Sequence, residues 1–254
     1  MSDLARSFGD VAEAYDLGRP RYPPEIVSAI TSHTGGPRLL DVGAGTGRLS
    51  VPLVRAGYDV VAVEPLERMR TILAQAIGVE RALEGSAEAL PLADASVDGA
   101  VCTDAWHWFE GPRAADELAR VVRPGGGVVV CFLRDRWVDD DTAPAWSHEI
   151  GAVMGALWEA VDHPHSSGIQ RPAGFEDHPA FEPLETRSVH FEHRHPDRQA
   201  MLALFASVSF VASLPPARRE AVLAGLEEIL VRHGVDGAET PYSAELSLTR
   251  RRAT

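Results

Sequence analysis

The sequence predicts an α/β fold, a mostly parallel sheet with helices on both faces, on three observations. Short apolar runs alternate with stretches of helical period along residues 38–133. The run Val97–Thr103 is apolar almost throughout, as a parallel strand buried on both faces requires. Leu39-Leu40-Asp41-Val42 feeds directly into Gly43-Ala44-Gly45-Thr46-Gly47-Arg48, and a helical pattern leaves it. A strand, a glycine turn and a helix start together form a Rossmann-like ligand site. Glycine tolerates φ > 0 and lets a ligand approach the backbone. The helix start offers unpaired N–H groups.

The glycine spacing narrows the ligand. A dinucleotide loop reads G-x-G-x-x-G, with room for a pyrophosphate at the helix N-terminus. Here the third glycine comes one residue early, at Gly47, and Asp41 stands two residues before Gly43. A carboxylate there repels a pyrophosphate and suits an ammonium group. Glu64-Pro65 closes the next apolar run, Val60–Val63. An acid about 20 residues after the glycines can accept both ribose hydroxyls. A nucleoside with a cationic tail and no phosphate satisfies all three features, and S-adenosylmethionine (SAM) is one.

Composition excludes several alternatives. The 254 residues suit one domain, or a core with a lid, and the 45% hydrophobic content supplies a sizeable core. A net charge of -13 argues against a nucleic-acid binder, which needs a basic face. All 24 basic residues are arginine. A P-loop and a pyridoxal phosphate site each need a lysine. Cys102 and Cys131 lie inside apolar runs and imply a reducing compartment. The N-terminus lacks a signal-peptide stretch, and no run reaches the ~18 apolar residues of a membrane span. The expected location is cytoplasmic, with monomer and homodimer both open.

LLDVGAGTG and VVAVEP resemble the first two motifs of the class I SAM-dependent methyltransferases. The resemblance implies a seven-stranded sheet with an antiparallel last strand and a helical lid. It also implies that Asp41, Gly43, Ala44, Gly45, Thr46, Gly47, Glu64 and Pro65 bind SAM. The expected arrangement is one methyltransferase domain, 1–254. It comprises an N-terminal lid (1–34), a SAM-binding half (35–133), a cap insertion (134–180) and the rest of the sheet (181–254).

Phe8, Ala12 and Tyr15 recur at near-helical spacing before Gly18–Pro24 breaks the chain. Pro24 opens a helix with Ile26, Val27 and Ile30 on its apolar face. This segment reads as a flap packed on the core. Its Tyr-Asp-x-x-Arg-Pro-x-Tyr-Pro pattern also resembles the lid of the small-molecule subgroup that includes trans-aconitate methyltransferase. That resemblance puts Tyr15, Arg19 and Tyr22 near the methionine end of SAM.

The first strand spans about Arg38–Val42, followed by a helix with Leu49, Leu53 and Val54 inward and Gly57 as its stop. The second strand covers Asp59–Glu64. The next helix turns Met69, Ile72, Leu73 and Ala76 inward. Met69 is either core filler or, as the resemblance implies, a contact to adenine. A short strand near Ala82–Gly85 leads into Ser86-Ala87-Glu88, which resembles the family's adenine-facing G-x-A-E-x-L-P segment. Glu88 alone reads equally as a solvated acid.

The fourth strand, Val97–Thr103, ends in Thr103-Asp104-Ala105-Trp106-His107-Trp108-Phe109. Ligands sit beyond the carboxyl ends of such strands, where strand order reverses. The resemblance implies that Thr103, Asp104 and Ala105 border SAM. Trp106, His107 and Trp108 then face the acceptor. A base is needed only where the acceptor must lose a proton. His107 is the first candidate, since imidazole titrates near neutrality, and Asp104 the second.

A helix over 112–122, the turn Arg123–Gly127 and a strand Val128–Leu133 follow. The L-x-R-V-x-R-P-G-G stretch is a further family match with structural glycines. Residues 134–180 leave the alternation. Asp139–Asp141 reads as a solvated turn, and Trp146, Ile150, Val153, Met154, Leu157 and Trp158 keep helical spacing. His163–Gly168 reads as loop. A strand near Leu184–Glu192, helices over 197–212 and Ala217–His233, and a last strand Tyr242–Thr249 complete the chain. His190, His193 and His195 lack ligand spacing and read as surface histidines, so no metal is expected. The predicted function is methyl transfer from SAM to a small molecule, without nucleic acid or membrane. Two alternatives stand: a SAM-binding protein without transfer, as cyclase or regulatory module, and a nicotinamide-dependent oxidoreductase.

Overall fold

The computed structural model describes residues 11–139, 141–160 and 172–253. Seven strands form one sheet: β1 (Arg38–Val42), β2 (Asp59–Val63), β3 (Ala82–Leu83), β4 (Gly99–Thr103), β5 (Gly127–Asp135), β6 (Glu185–His195) and β7 (Ala238–Arg250). Their order is β3-β2-β1-β4-β5-β7-β6, with β7 antiparallel. Every pair from β3 to β5 is parallel. The chain leaves β1 toward one edge and returns to its other side at β4. The carboxyl ends of β1 and β4 therefore flank the reversal point where α/β sheets bind ligands. The expected seven-stranded, mostly parallel sheet is present.

The helices are α1 (Ala12–Gly18), α2 (Pro24–Thr34), α3 (Ser50–Arg55), α4 (Glu67–Ile77), α5 (Gly111–Val121), α6 (Ala145–Glu159), α7 (Arg198–Ala206), α8 (Ser209–Ala212) and α9 (Pro216–Arg232). The described residues fall into two compact units. One holds 21–133, 172–189 and 244–253; the other holds 11–20, 134–139, 141–160 and 190–243. None of these helices is long and apolar enough to cross a membrane.

In the larger unit, Leu40 and Val42 of β1, Cys102 of β4 and Val128 and Val130 of β5 share a core with Leu118 and Val121 of α5. Residues alternate across a strand, so Leu39 and Asp41 face the opposite side of the sheet. They are buried there too. Cys102 and Cys131 are free, buried thiols on neighbouring strands, Thr103 being paired with Cys131. Burial raises the pKa of both.

In the smaller unit, Ile150 of α6, Met201 of α7 and Leu226, Ile229 and Leu230 of α9 form the core. Asp197 caps α7 by accepting from the Ala200 N–H at 2.8 Å. α1 packs on α7 at Gly18, where a Cβ would lie 2.0 Å from the Leu204 nitrogen.

Several boundaries differ from expectation. β2 stops at Val63, and β3 holds only Ala82–Leu83. β4 starts at Gly99, because Val97 makes only an isolated bridge to Val122. The single helix expected over 197–212 is two: Val208 turns extended (ψ 132°), and the Ser207 hydroxyl bonds back to the Leu204 carbonyl at 2.7 Å. β6 continues to His195, and β7 begins at Ala238. Val54 and Ala76 are not core, and Ile77 takes the inward place of Ala76. On α6 only Ile150 is buried, and Val153 and Trp158 are exposed.

His190 is exposed, but His195 is 2% exposed and is no surface residue. It shares a face of β6 with His193, ring centroids 4.7 Å apart, and His193 approaches Tyr242 of β7. Among the described residues, no group of three or more His, Cys, Asp or Glu is placed to hold a metal. Phe8, Asp140 and His163–Gly168 lie outside the described residues.

Because backbone, not a movable side chain, fills the space at Gly18, Gly18→Ala must push α1 off α7. We expect a loss of at least about 2 kcal/mol in urea unfolding. A variant as stable as the parent would contradict that packing.

Candidate cofactor and acceptor site

The site begins at the tip of β1. Asp41 is fully buried on the face that α3 covers. The Ser50 hydroxyl donates to its Oδ2 at 2.6 Å. Its Oδ1 has no hydrogen-bond partner among the described residues. Burial pushes this carboxyl up to about 6, against the Ser50 bonds.

The glycine loop follows, with Gly43, Gly45 and Gly47 at φ +67°, +58° and +92°. The N–H groups of Gly43 and Ala44 donate to the Val63 carbonyl at 2.9 and 3.2 Å, tying the loop to the tip of β2. A Cβ on Gly43 would lie 2.8 Å from the Ala105 Cβ and 2.9 Å from Phe109. The loop thus packs directly on the segment after β4.

Glu64 follows the last residue of β2 and is 4% exposed. Its two oxygens accept from the backbone N–H groups of Gly45 and Leu66, each at 2.9 Å. Burial pushes its carboxyl up to about 7, opposed by these bonds and by the Arg70 charge. Arg70 donates to the Glu64 and Pro65 carbonyls at 2.8 and 3.1 Å and pairs with Glu84. A carboxylate oxygen has about two acceptor positions. Glu64 therefore keeps one on each oxygen.

Met69 of α4 and Ala87 are buried. Ser86 and Ala89 close a turn at 3.1 Å, and Glu88 accepts from the Glu110 N–H at the head of α5 at 2.9 Å. Thr103, at the tip of β4, is half-buried. Asp104 follows at φ +51°, a conformation non-glycine residues rarely hold. Hydrogen bonds hold it there. Its N–H donates to the Cys131 carbonyl at 2.8 Å, Oδ1 accepts from the Leu133 N–H at 2.9 Å, and Oδ2 accepts from the Tyr22 hydroxyl at 2.9 Å. Each oxygen accepts one of these bonds, which fixes the direction of the Asp104 carboxylate.

The turn Trp106–Trp108 sends successive side chains opposite ways. Trp106 is buried in the core. Its indole N–H donates to the Ala173 carbonyl at 3.0 Å, and its ring stacks on Phe175 at 4.9 Å. His107 is exposed, its ring 4.4 Å from Trp108 and 5.7 Å from Phe132. In the other unit, Arg19 donates from Nε to the Ser207 hydroxyl at 2.9 Å. Its guanidinium also lies over the Tyr15 ring at 5.5 Å.

Sequence reasoning missed Ser50, Arg70 and the Leu133 N–H. Ser50 was findable as a hydroxyl at the opening of the helix after the glycines. Arg70 and the Leu133 N–H act through or as backbone and leave no residue-type signal.

The chain is similar to known methyltransferases. A methyltransferase domain signature matches residues 40–130. An uncharacterized methyltransferase of Mycobacterium tuberculosis is 34% identical over 244 residues, covering 94% of this chain and 93% of that protein. A malonyl-[acyl-carrier protein] O-methyltransferase of Pectobacterium atrosepticum is 36% identical over 135 residues, 52% of this chain and 53% of that one. A solved structure from Anaeromyxobacter dehalogenans, a candidate type II methyltransferase, shares the fold. Its TM-score is 0.61 at 24% identity, over 92% of this chain and 97% of that one. The chain belongs to the class I SAM-dependent methyltransferases.

The two raised acids make stability pH-dependent. Their folded values, about 6 and about 7, lie above the unfolded ones, so the stability they allow is present at low pH. It is lost as pH rises through those values. Asp41→Asn keeps an acceptor for Ser50 and removes the buried charge. We expect it to stabilise the ligand-free protein by about 2–3 kcal/mol at pH 8 and by little below the usual carboxylate range, in urea unfolding.

Proposed function

We propose that the protein transfers the methyl group of SAM to a small-molecule acceptor. The observation that carries this reading is the pair of buried acids at neighbouring strand tips. One has an unpartnered oxygen and the other keeps an acceptor position on each oxygen. Asp41 meets the ammonium group, and Glu64 accepts the ribose hydroxyls. The Gly43-Ala44-Gly45-Thr46-Gly47 backbone lets the ligand approach. Pro65, Met69, Ser86, Ala87 and Glu88 flank the adenine, and Thr103, Asp104 and Ala105 border the sulfonium. Tyr15, Arg19 and Tyr22 take part in cofactor binding, the role their resemblance to the small-molecule subgroup supports.

SAM, when bound, supplies an electrophilic methyl group on its sulfonium. The protein's own work is to orient the acceptor and exclude water. Asp104 fixes the Tyr22 hydroxyl and the end of β4. His107 takes the acceptor proton where one is lost, and Trp108 forms the neighbouring wall. The O-methyltransferase relatives support including carboxylic acids among the acceptors tested. The two buried free thiols support a reducing, cytoplasmic location.

Calorimetry with SAM, S-adenosylhomocysteine and NAD tests the reading. SAM binds more tightly than NAD, and its affinity weakens toward about tenfold per pH unit below the Asp41 value. Asp41→Asn binds SAM about 10–100-fold more weakly and loses that pH dependence. Tighter NAD binding overturns the assignment. A bound donor that no acceptor consumes, followed with labelled methyl, overturns the transfer.

A further inference from the structure

The chain between β3 and β4 is irregular, yet α5 holds it along its length. Glu88 bonds the Glu110 N–H at the helix head. The Leu90 N–H donates to Glu117 Oε2 at 2.7 Å, two turns further on. The Ala95 N–H donates to the Arg120 carbonyl at 2.9 Å and the Val97 N–H to the Val121 carbonyl at 3.2 Å.

Arg120 is the centre of this seam. A guanidinium has five N–H donors in a fixed plane, and here all five are engaged. Nε donates to Glu117 Oε1 at 2.8 Å. Nη1 donates to the Leu92 carbonyl at 2.7 Å and to Asp94 at 2.9 Å. Nη2 donates to the Leu90 carbonyl at 3.0 Å and to Glu117 Oε2 at 2.7 Å. Both backbone groups of Leu90 are thus held by one ion pair, and the Leu90 side chain is buried in the core. Three residues earlier lies Ala87, inside the hydrogen-bonded Ser86–Ala89 turn. The bond to Arg120 is the main cause of a lowered Glu117 pKa, so the pair stays ionised until the solution is acidic.

We infer that Arg120, paired with Glu117, is a positioning residue that fixes the 86–92 segment and so sets the enzyme's preference for adenine over other bases. The inference rests on the reading that this segment faces the base. Arg120 touches none of the residues proposed for the ribose and methionine ends. The two acids proposed for those ends stand at the tips of β1 and β2, held by Ser50 and by the Gly45 and Leu66 N–H groups. Loosening the seam therefore degrades base recognition selectively. A site that reads a hydrogen-bonding group discriminates only while its donors and acceptors are held in place.

The test uses the full chain and two ligands, S-adenosylhomocysteine and its inosine counterpart, in which an oxo group replaces the adenine amino group. The wild type prefers the adenine form. In Arg120→Gln and Arg120→Lys that preference falls about tenfold, through weaker binding of the adenine form alone, since neither replacement fills five acceptors. Glu117→Gln keeps the side-chain shape and gives the same direction if Arg120→Gln fails to fold. A general structural role instead weakens both ligands equally and leaves the ratio unchanged, which overturns the inference. A wild type that binds both forms equally overturns the underlying reading of the segment. Asp41→Asn separates the two ends: it weakens both ligands and keeps the ratio.

Discussion

The structure depends on holding two carboxylates, Asp41 and Glu64, buried at the tips of two neighbouring strands. Burying an unpaired charge is costly, and a group so placed takes up a proton or finds donors. Both responses are visible. Asp41 and Glu64 have pKa values pushed toward neutrality, and they recruit the Ser50 hydroxyl and the Gly45 and Leu66 N–H groups. Arg70 stands near but spends its donors on carbonyls and Glu84, which leaves the Glu64 carboxylate open to another partner. Much of the local architecture serves this arrangement. The loop must fold back on Val63 to present its N–H groups, and that path needs positive φ at three glycines.

The tip of β4 is arranged by a backbone turn and by side-chain bonds. Asp104 takes a left-handed conformation, and the three-residue turn after it separates neighbours in sequence into different environments. Trp106 enters the core and His107 faces solvent. The same few residues therefore anchor the fold and supply an exposed, titratable ring. The anchoring bonds run from Asp104 to β5 and to Tyr22, so the strand end is fixed from two directions.

Much of this was legible in the sequence because its causes are local. The glycine spacing, Asp41 and the Glu64-Pro65 step each follow from what a strand tip and a turn require. What was not legible depends on contacts between distant residues. Trp106 looks like any aromatic beside a site until Ala173 and Phe175 arrive from elsewhere in the chain. His195 has the polarity of a surface residue, yet it is 2% exposed, on the same face of β6 as His193. The helix break at Ser207 carries no glycine or proline. It follows from a hydroxyl bonding back to the preceding turn, a feature propensity does not register. Arg120 belonged to a visible motif, but its five bonds join it to residues 26 to 30 positions earlier and to its own helix.

The two cysteines carry a last consequence. Both lie in central strands, both are sealed from solvent, and burial keeps both in the unreactive thiol form. Alkylating reagents attack thiolates, so modification has to wait for the sheet to part between β4 and β5. The chain thus contains its own clock for opening of the sheet: the rate of capping at Cys102 and Cys131 counts how often the middle of the molecule comes apart.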